Sequence, residues 1–367
     1  MDVERFELFA LRLALKRPFE TAAGRVAERR VAVLRLTDRA GNAGLGEVTP
    51  YPRPGAGGLR DLVEALNQHA RPRLESRAIE EPARIPREFG ELLPPPALAA
   101  VDSALSDLHA RQLAIPLAES LNRHARKSVE VNATIASSDI DDAVAQARAA
   151  VAAGYSTIKL KVGLPGDEAR VAAVRDAIGW NRRLRLDANG AWFSAEAIAE
   201  IGRLAQFGLE LVEQPVAAED LMGMHRVRDA VSVPVVADEG IRTDADLQAH
   251  IANAACDGVA VKLSEAGGLT RAAALLERVS SAGLFCFVTS ALDGPVGIAA
   301  ALHFVASRSD IELACGLATA DALADSYATG LPVAAGGRIA ISPSPGLGIE
   351  LDEDAIAEFS IELGPGD

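Results

Sequence analysis

The sequence predicts an α/β protein: a (β/α) barrel with a smaller α+β capping domain made from the N-terminal region and the C-terminal tail. Two observations predict the barrel. Short apolar runs recur, each followed by an Ala-rich, helix-like segment, and each carries a polar marker residue near its end, at positions 161, 187, 213, 238 and 262. The steps between these markers, 24 to 26 residues, are the length that a strand, a helix and two loops require. The third observation is that both flanks of the chain lack this repeat, which predicts the separate capping domain.

Eight strand-like runs follow one another in the predicted barrel, which we assign to residues 126–320. They are VEVNAT near 130, TIKLKVG near 160, RLRLDANG near 185, LELVEQP near 212, VPVVADEG near 237, DGVAVKLS near 261, LFCFVTS near 287 and IELACG near 313.

The flanking segments are predicted to form one capping domain. Residues 1–125 open with FELFALRLAL, RRVAVLRLTD and GNAGLGE, which together are typical of a small antiparallel sheet. The segment LPPPALAAVDSALSDLHARQLA has apolar residues at helical spacing after a proline stop, so we expect a helix packed on this sheet. Residues 321–367 return to loop and short-strand character, and we expect them to rejoin the first domain.

Composition excludes several classes of protein. The 367 residues are 49% hydrophobic and 24% charged, with a net charge of −14 and no long basic run, which argues against nucleic acid and anionic membranes as partners. No apolar stretch approaches the roughly 20 residues of a membrane helix, and acidic residues near the start disfavour a signal peptide. Three cysteines are expected to be core-filling thiols. We therefore expect a cytoplasmic protein whose partner is a small molecule, and the sequence leaves a homo-oligomer open.

Lysine is rare in this chain. Only five of its 37 basic residues are lysines, the other 32 being arginines. Arginine suffices wherever only a positive charge is needed, but a residue that sheds and regains a proton near neutral pH has to be lysine. Three of the five lysines, Lys159, Lys161 and Lys262, are at predicted strand ends and become candidates for proton transfer.

Three carboxylates stand between these lysines in the repeat. Asp187, Glu213 and Asp238 end consecutive predicted strands, and the ends of barrel strands converge on one mouth. Such acids would repel one another without a cation among them, and hard oxygen ligands suit Mg²⁺, with Mn²⁺ as the alternative. The competing interpretation is that each acid caps the helix after its strand, but three acids in consecutive units at matched spacing favour the metal site.

Other polar residues near these positions are predicted to support the site. Lys159 and Lys161 point the same way because strand side chains alternate, and crowding by each other and by a cation is expected to lower their proton affinity. A structural ion pair is the alternative for Lys159. We predict an interior salt bridge for Arg185 ahead of a substrate contact, and an orienting role for Asn189 and Glu239.

These motifs resemble the enolase superfamily and, within it, the muconate-lactonizing enzyme subgroup. The resemblance covers nearly the whole chain and is carried by KLK at 159–161, LDANGAW at 186–192, VEQP at 212–215, ADE at 237–239 and VKLSEAGG at 261–268. Sites of this type, with a lysine or histidine base and magnesium, are a known pattern. The resemblance implies that the substrate carboxylate binds Mg²⁺, that Lys161 abstracts the α-proton, and that Lys262 lies opposite it.

Within the subgroup, the sequence is most similar to the o-succinylbenzoate synthase family of menaquinone biosynthesis. The similarity is carried by TSALDGPVGIAAALHFVA, ACGLAT and RPFETAAG. It implies syn loss of water, with Lys161 as base and then acid and with Lys262 as a cation that stabilises the enediolate. We expect residues 21–25 and 49–54 to form a lid, with Thr21 and Arg25 near the substrate. Small groups at Ser290, Ala291 and Gly316 are expected to leave room for the succinyl arm.

Several alternatives stay open. Dipeptide epimerases carry an Asp-x-Asp on the eighth strand and muconate cycloisomerases an acid, whereas this chain has ELACGLAT, in which Glu312 precedes the strand end. N-succinylamino acid racemases share the two-lysine site. A different class is a metal-independent Schiff-base aldolase barrel, which chelator resistance and borohydride trapping would favour. A barrel-derived binding or scaffold protein is disfavoured because all five marker residues are present.

Overall fold

The computed structural model describes residues 1–21, 24–51, 58–76, 78–79 and 81–364; the side chains of residues 20 and 21 lie outside this description. Its strands, numbered in chain order, are β1 (Val3–Thr21), β2 (Gly24–Asp38), β3 (Ala43–Val48), β4 (Ser128–Glu130), β5 (Ala133–Ile135), β6 (Thr157–Lys161), β7 (Arg183–Asp187), β8 (Leu209–Glu213), β9 (Val235–Ala237), β10 (Gly258–Val261), β11 (Phe285–Val288), β12 (Ala328–Thr329), β13 (Arg338–Ala340) and β14 (Glu350–Leu351).

The α-helices, also numbered in chain order, are α1 (Leu59–Ala65), α2 (Arg71–Ser76), α3 (Ile85–Phe89), α4 (Pro95–Gln112), α5 (Leu117–Leu121), α6 (Ile140–Ala152), α7 (Asp167–Ile178), α8 (Ser194–Leu204), α9 (Leu221–Ala230), α10 (Asp244–Ala252), α11 (Leu263–Ala266), α12 (Leu269–Ser281), α13 (Pro295–Ser307) and α14 (Glu353–Phe359). A π-helical segment, Leu66–Ala70, joins α1 to α2, and 3₁₀ turns cover Pro82–Arg84, Ala205–Phe207 and Ala320–Ala322.

The N-terminal strands form an antiparallel sheet in the order β1–β2–β3. Both faces of β2 are buried over Val31, Ala32, Val33 and Leu34, because successive side chains of a strand point to opposite faces. Val31 and Val33 belong to the core that includes the barrel, whereas Ala32 and Leu34 belong to the core formed with α1 to α4. The sheet is therefore the layer that joins the capping helices to the barrel.

Two glycines allow α4 to pack directly on β3. A Cβ atom on Gly44 would lie 2.1 Å from the carbonyl oxygen of Ala104, and one on Gly46 would lie 1.9 Å from that of Ala100. Neither approach leaves room for a side chain, so the motif GNAGLGE sets the distance between helix and sheet. The predicted helix and antiparallel sheet are both present.

The barrel strands run parallel in the order β5 to β11, forming a seven-stranded sheet within the described residues. Backbone bridges from Val131 to Cys315 and from Thr289 to Gly316 close the ring. The predicted eighth strand thus occupies its expected position, but it pairs through these isolated bridges and does not form a continuous strand. The (β/α) barrel with an antiparallel capping sheet confirms the predicted fold class.

The C-terminal segment runs from the barrel back to the first sheet. Strand β13 pairs with β4, and the backbone N–H of Leu347 donates to Asp107 Oδ1 on α4 over 2.7 Å. The backbone N–H of Ile361 then donates to the carbonyl oxygen of Ala10 on β1 over 2.9 Å. The domain limits at residues 125 and 320 stay predictions.

Two expectations from composition concern membranes and thiols. In the part of the chain that the structure describes, no helix has the length and apolar character needed to cross a bilayer. Cys256, Cys286 and Cys315 are buried and unpaired, and burial raises the pKa of Cys256 to about 12. The thiols fill the core, as the sequence predicts.

Candidate active site

The five polar residues at the repeat positions lie at one end of the barrel. Lys161, Asp187 and Glu213 are the last residues of β6, β7 and β8, and Asp238 and Lys262 directly follow β9 and β10. The parallel register pairs Lys161 with Asp187 and Asp187 with Glu213. These positions are at the C-terminal ends of the strands, the face on which barrel enzymes carry their active sites.

Buried ion pairs join two lysines to two of these carboxylates. Lys159 Nζ lies 2.7 Å from both Asp187 Oδ2 and Glu213 Oε1. Lys161 Nζ lies 2.7 Å from the same Asp187 oxygen. Asp187 and Glu213 are fully buried, so each charge depends on its partners for stabilisation.

A chain of hydrogen bonds runs from Lys161 along the mouth. Lys161 Nζ donates to Asn189 Oδ1 over 2.8 Å, and Asn189 Nδ2 donates to Glu239 Oε1 over 2.7 Å. Across the barrel, Lys262 Nζ donates to Asp238 Oδ1. Asn189 therefore contacts Lys161 directly, and Glu239 is connected to Lys161 through Asn189. The orienting role of both residues stays a prediction.

The buried charges shift several pKa values. Burial, reinforced by Asp187, raises the pKa of Glu213 to about 8. Burial opposes the ionised form of Asp187, but Lys159 and Lys161 outweigh it and hold the Asp187 pKa below its usual range. Burial also opposes the charge of Lys159 and Lys262, yet nearby carboxylates raise the pKa of both. The expected lowering of lysine proton affinity depends on a bound cation and stays a prediction; carboxylates are the nearest charged neighbours of Lys159 in this structure.

The carboxylates fit a magnesium ion. Asp187, Glu213 and Asp238 offer hard oxygen ligands, and the buried Oε2 atom of Glu213 makes no hydrogen bond, which leaves its lone pairs available to a cation. Within the described residues, no three acidic, histidine or cysteine side chains already converge as a metal-binding group. Lys159 contacts two of the carboxylates at once, so Mg²⁺, or Mn²⁺ in its place, would compete with this ammonium group for their oxygens.

Strained backbone follows two of the acids. Asn189 and Gln214 have φ angles of 45° and 38°, in the left-handed region that residues other than glycine seldom adopt. Gln214 Oε1 accepts hydrogen bonds from the backbone N–H groups of Asp238 and Gly240 over 2.9 and 3.1 Å. The loop after β8 thereby holds the loop after β9, and sequence reasoning did not identify this role of Gln214.

The three lysines open, together with Asp187 and Asp238, into a cavity of about 590 Å³, whose described lining does not include Glu213. Its wall combines barrel residues with residues of the capping domain. The lining residues are Phe19, Gly24, Arg25, Val26, Arg29, Tyr51, Lys159, Lys161, Asp187, Asn189, Gly190, Gln214, Ala217, Ala218, Glu219, Asp238, Glu239, Arg242, Lys262, Thr289, Ser290, Ala291 and Leu292.

The capping domain places an aromatic ring beside each of the two candidate catalytic lysines. The ring of Phe19 lies 5.8 Å from Lys161 Nζ, and that of Tyr51 lies 5.2 Å from Lys262 Nζ. Tyr51 lies within the predicted lid segment 49–54 and Phe19 lies just before the predicted segment 21–25, but sequence reasoning named neither ring. Aromatic residues make up only 4% of the chain, and that rarity is a signal that could have found them.

The predicted substrate contacts divide into two groups. Arg25, Ser290 and Ala291 line the cavity. Gly316 is absent from the described lining; a Cβ atom there would lie 2.5 Å from Thr289 Oγ1, so this glycine makes room for Thr289 and not for a substrate. The side chain of Thr21 lies outside the described residues.

The second predicted lid segment, residues 49–54, is described only through residue 51. Thr49 is buried and donates to Glu47 Oε1 over 2.6 Å, so it belongs to the interior beneath the cavity wall. Arg29 Nη2 donates to the carbonyl oxygen of Pro50 over 2.7 Å, which ties this segment to β2.

Arg185 lies inside the barrel, away from the described cavity lining. It is fully buried, forms an ion pair with Glu210 over 2.5 Å, donates to the carbonyl oxygen of Ala314 over 2.7 Å and packs on the ring of Phe287 at 4.8 Å. Of its two predicted roles, the contacts match the interior salt bridge.

Comparison with known families decides the membership of the chain. Residues 142–355 match the enolase C-terminal domain-like family, and residues 5–122 match the mandelate racemase / muconate lactonizing enzyme N-terminal domain. The chain belongs to the enolase superfamily. Within it, the relatives of this protein belong to the muconate-lactonizing enzyme subgroup, as the sequence motifs predict.

Its relatives in that subgroup catalyse different reactions. The chain is 31% identical to the L-Ala-D/L-Glu epimerase of Bacillus subtilis, over 95% of this chain and 97% of that protein. It is 28% identical to muconate cycloisomerase 1 of Rhodococcus opacus, covering 98% and 99%, and 29% identical to the o-succinylbenzoate synthase of Enterococcus faecalis, covering 83% of each. The identities are too similar to distinguish a lyase from an isomerase.

Solved structures of the subgroup share the fold throughout. A substrate-liganded complex of the Bacillus subtilis epimerase superimposes with a TM-score of 0.90 at 30% identity, covering 95% of this chain and 99% of that one. A dipeptide epimerase from Enterococcus faecalis complexed with Mg and L-Leu-L-Tyr gives a TM-score of 0.89 at 28% identity, covering 95% and 100%. The chain is thus an enzyme of this superfamily.

Proposed function

We propose that this protein is a Mg²⁺-dependent carbon–oxygen lyase of the o-succinylbenzoate synthase type, which removes the proton α to a substrate carboxylate and then expels water in menaquinone biosynthesis. The observation that carries the proposal is the chemistry of the cavity wall away from the lysines. This wall suits a second carboxylate on the substrate. The eighth strand contributes no acid to it that would bind a substrate ammonium group.

The wall after β11 consists of Thr289, Ser290 and Ala291, and the described lining includes no residue from 312–319. The acid Glu219 in the lining is paired with Arg242 over 3.2 Å. Two further guanidinium groups, those of Arg25 and Arg29, line the capping side of the cavity. Arg29 lies near the carboxylates of Asp293 and Glu47, so Arg25 is the group that offers a positive charge to a substrate there. Guanidinium groups bind carboxylates well because their donors match the two oxygens.

The two catalytic lysines work from opposite sides. Strands β6 and β10 are four places apart in the ring, so Lys161 and Lys262 face each other across the mouth. Lys161 takes the α-proton and, as an ammonium group, returns a proton to the departing hydroxyl on the same face. Asn189 holds Lys161 Nζ by a hydrogen bond, and Lys262 supplies a cation on the other face.

A metal ion would be held by Asp187, Glu213 and Asp238. When bound, Mg²⁺ supplies the positive charge that stabilises the negative charge developing on the substrate carboxylate. The rings of Phe19 and Tyr51 cover the lysines on the capping side and exclude water from them.

The second candidate is an isomerase of the same subgroup. It is favoured by the similarity to an epimerase, and an N-succinylamino acid racemase would use the same positive wall. A Schiff-base aldolase, in which Lys161 or Lys262 would attack a carbonyl, is disfavoured because the chain belongs to the enolase superfamily; for Lys262 the ion pair with Asp238 also opposes the neutral amine that such an attack needs.

The test is a substrate panel with purified protein and Mg²⁺. The synthase substrate, an Ala-Glu dipeptide and an N-succinyl amino acid are each followed by absorbance or optical rotation. We expect dehydration of the synthase substrate to be fastest by kcat/KM. Rapid epimerisation of the dipeptide without dehydration would replace the lyase assignment with the isomerase.

A further inference from the structure

Tyr51 extends the hydrogen-bond chain of the active site into the capping domain. Its hydroxyl donates to Glu239 Oε1 over 3.1 Å, the oxygen that also accepts from Asn189 Nδ2. Asn189 in turn accepts from Lys161 Nζ. One continuous chain therefore joins Lys161, Asn189, Glu239 and Tyr51 along one side of the mouth.

The other end of this chain reaches the opposite lysine. The ring of Tyr51 lies 5.2 Å from Lys262 Nζ, within the range of a cation–π contact. The Tyr51 hydroxyl is thus connected to Lys161 through Glu239 and Asn189, and its ring contacts Lys262.

The position of Tyr51 is fixed from the capping sheet. Arg29, which is 6% exposed, donates to the carbonyl oxygen of Pro50 over 2.7 Å, one residue before Tyr51. The backbone leading into Tyr51 is therefore anchored to β2, and the docking of the capping sheet on the barrel determines where the ring and hydroxyl lie.

Glu239 can be drawn to either side of the mouth. It is held on the Asn189 side through Oε1, while its buried Oε2 atom makes no hydrogen bond. Lys262 attracts the same carboxylate electrostatically. A second donor on Oε1 keeps the carboxylate facing Asn189, which keeps the Asn189 amide oriented with its oxygen toward Lys161.

We propose that Tyr51 is a positioning residue that couples the docked capping domain to both catalytic lysines, orienting Lys161 through Glu239 and Asn189 and covering Lys262 with its ring. This inference rests on the proton-transfer roles of Lys161 and Lys262 in the proposed function. It predicts that the hydroxyl and the ring have separable effects on the two lysines.

Lysine labelling of the metal-free protein tests the coupling without relying on turnover. The chain has only five lysines, so limited reductive methylation followed by peptide mass spectrometry reports each one, with the 80% exposed side chain of Lys127 as internal reference. In Tyr51→Phe we expect Lys161 to react roughly fivefold faster than in the wild type, the change that loss of one hydrogen bond of ordinary strength produces. Lys262 should react no faster than in the wild type, because the ring remains and a released Glu239 carboxylate would move toward this lysine.

A second variant separates the ring from the hydroxyl. Tyr51→Leu removes both, so Lys161 and Lys262 should both react faster. Tyr155→Phe is the matched control, since Tyr155 is buried and lies outside the described cavity lining; it should leave both lysines at the wild-type rate. Unchanged labelling of Lys161 in Tyr51→Phe would overturn the proposal, as would equal acceleration in Tyr155→Phe.

Kinetics provide the second measurement. With whichever substrate the wild type turns over, Tyr51→Phe should lower kcat about tenfold and leave KM within about twofold, because positioning affects the reacting lysine more than substrate binding. A purely structural role would instead lower the melting temperature and leave kcat near the wild-type value. If the wild type fails to dehydrate the synthase substrate, the function assigned above fails, but the labelling result still decides the coupling.

Discussion

Lys161 Nζ and Asp187 Oδ2 lie 2.7 Å apart, and the two residues are register partners at the ends of neighbouring strands. The side chain that accepts a proton from the substrate in the proposed function is therefore hydrogen-bonded to a residue that would also hold the metal. This contact makes both the identity and the exact length of the Lys161 side chain important.

Replacing Lys161 by arginine should abolish most of the activity. Lys161→Arg keeps the charge but provides no usable base, so we expect kcat to fall on the order of a thousandfold. The measurement is steady-state turnover with Mg²⁺. Lys127→Arg, at an exposed ion pair with Glu119, is the matched control and should retain full activity. A loss under roughly tenfold in Lys161→Arg would show that Lys161 is structural.

Metal removal should stop the reaction. EDTA should abolish turnover, and Mg²⁺ or Mn²⁺ should restore it, because three buried carboxylates provide the oxygen ligands. Asp187→Ala, Glu213→Ala and Asp238→Ala should each weaken Mg²⁺ affinity in calorimetric titrations by at least about tenfold. Asp229→Ala, whose side chain is 56% exposed, should bind Mg²⁺ as the wild type does. Full activity in chelator would rule out the metal site.

The barrel and the polar residues at the C-terminal ends of its strands could be predicted from the sequence, because both follow from the repeat along the chain. A marker residue every 24 to 26 positions is brought to the same end of a parallel sheet by the connectivity alone. The register that pairs Lys161 with Asp187 and Asp187 with Glu213 needs no information from outside the repeat. Each candidate lysine and carboxylate therefore came from the same pattern.

The contacts between the capping domain and the barrel could not be predicted in this way. The hydrogen bond from Tyr51 to Glu239 joins residues 188 positions apart, and no periodicity connects them. The prediction that Gly316 leaves room for the substrate was wrong for a related reason. Whether a small residue leaves room for a ligand or for a neighbouring side chain depends on the residue across the backbone bridge, here Thr289. The shifts of the lysine pKa values likewise depend on which charged groups are nearest in space.

His303 predicts a specific dependence of stability on pH. Its Nδ1 accepts from the backbone N–H of Ala118 over 3.0 Å, and its Nε2 donates to the carbonyl oxygen of Leu347 over 3.1 Å, so the neutral ring links α13 to α5 and the tail. Burial lowers the His303 pKa from 6.5 to about 4. As the pH falls, His303 is protonated in the unfolded chain before it is protonated in the folded protein. The stability that neutral His303 contributes above pH 6.5 is therefore lost as the pH falls toward 4.

Urea unfolding at about pH 7 and about pH 5 measures this contribution. We expect the wild type to lose about 2 kcal/mol more of its unfolding free energy between these values than His303→Gln does. Asp102 and Asp107, whose pKa values burial raises to about 6, change stability in the opposite direction, but they are common to both proteins and cancel in the difference. Equal pH dependence of the two proteins would show that His303 does not titrate as described.

Isotope exchange distinguishes the dehydratase from the racemases. A one-base elimination needs only Lys161 to exchange protons with the substrate, whereas a racemase needs Lys161 and Lys262 to act on opposite faces. In D₂O, an N-succinyl amino acid that cannot eliminate should gain deuterium at the α-carbon with little inversion if the protein is a dedicated synthase. Mass spectrometry measures the deuterium, and chiral chromatography measures the inversion.

Variants assign each exchange to its lysine. Lys161→Ala should abolish both deuterium uptake and the dehydration that is detected by absorbance of the aromatic product. Lys262→Ala should lower the dehydration rate by loss of a stabilising cation, while any remaining α-exchange in that variant should retain configuration, because the proton returns from the face on which Lys161 lies. Efficient inversion by the wild type without dehydration would overturn the synthase assignment, and the pair of lysines facing each other from β6 and β10 would then act as the two bases of a racemase.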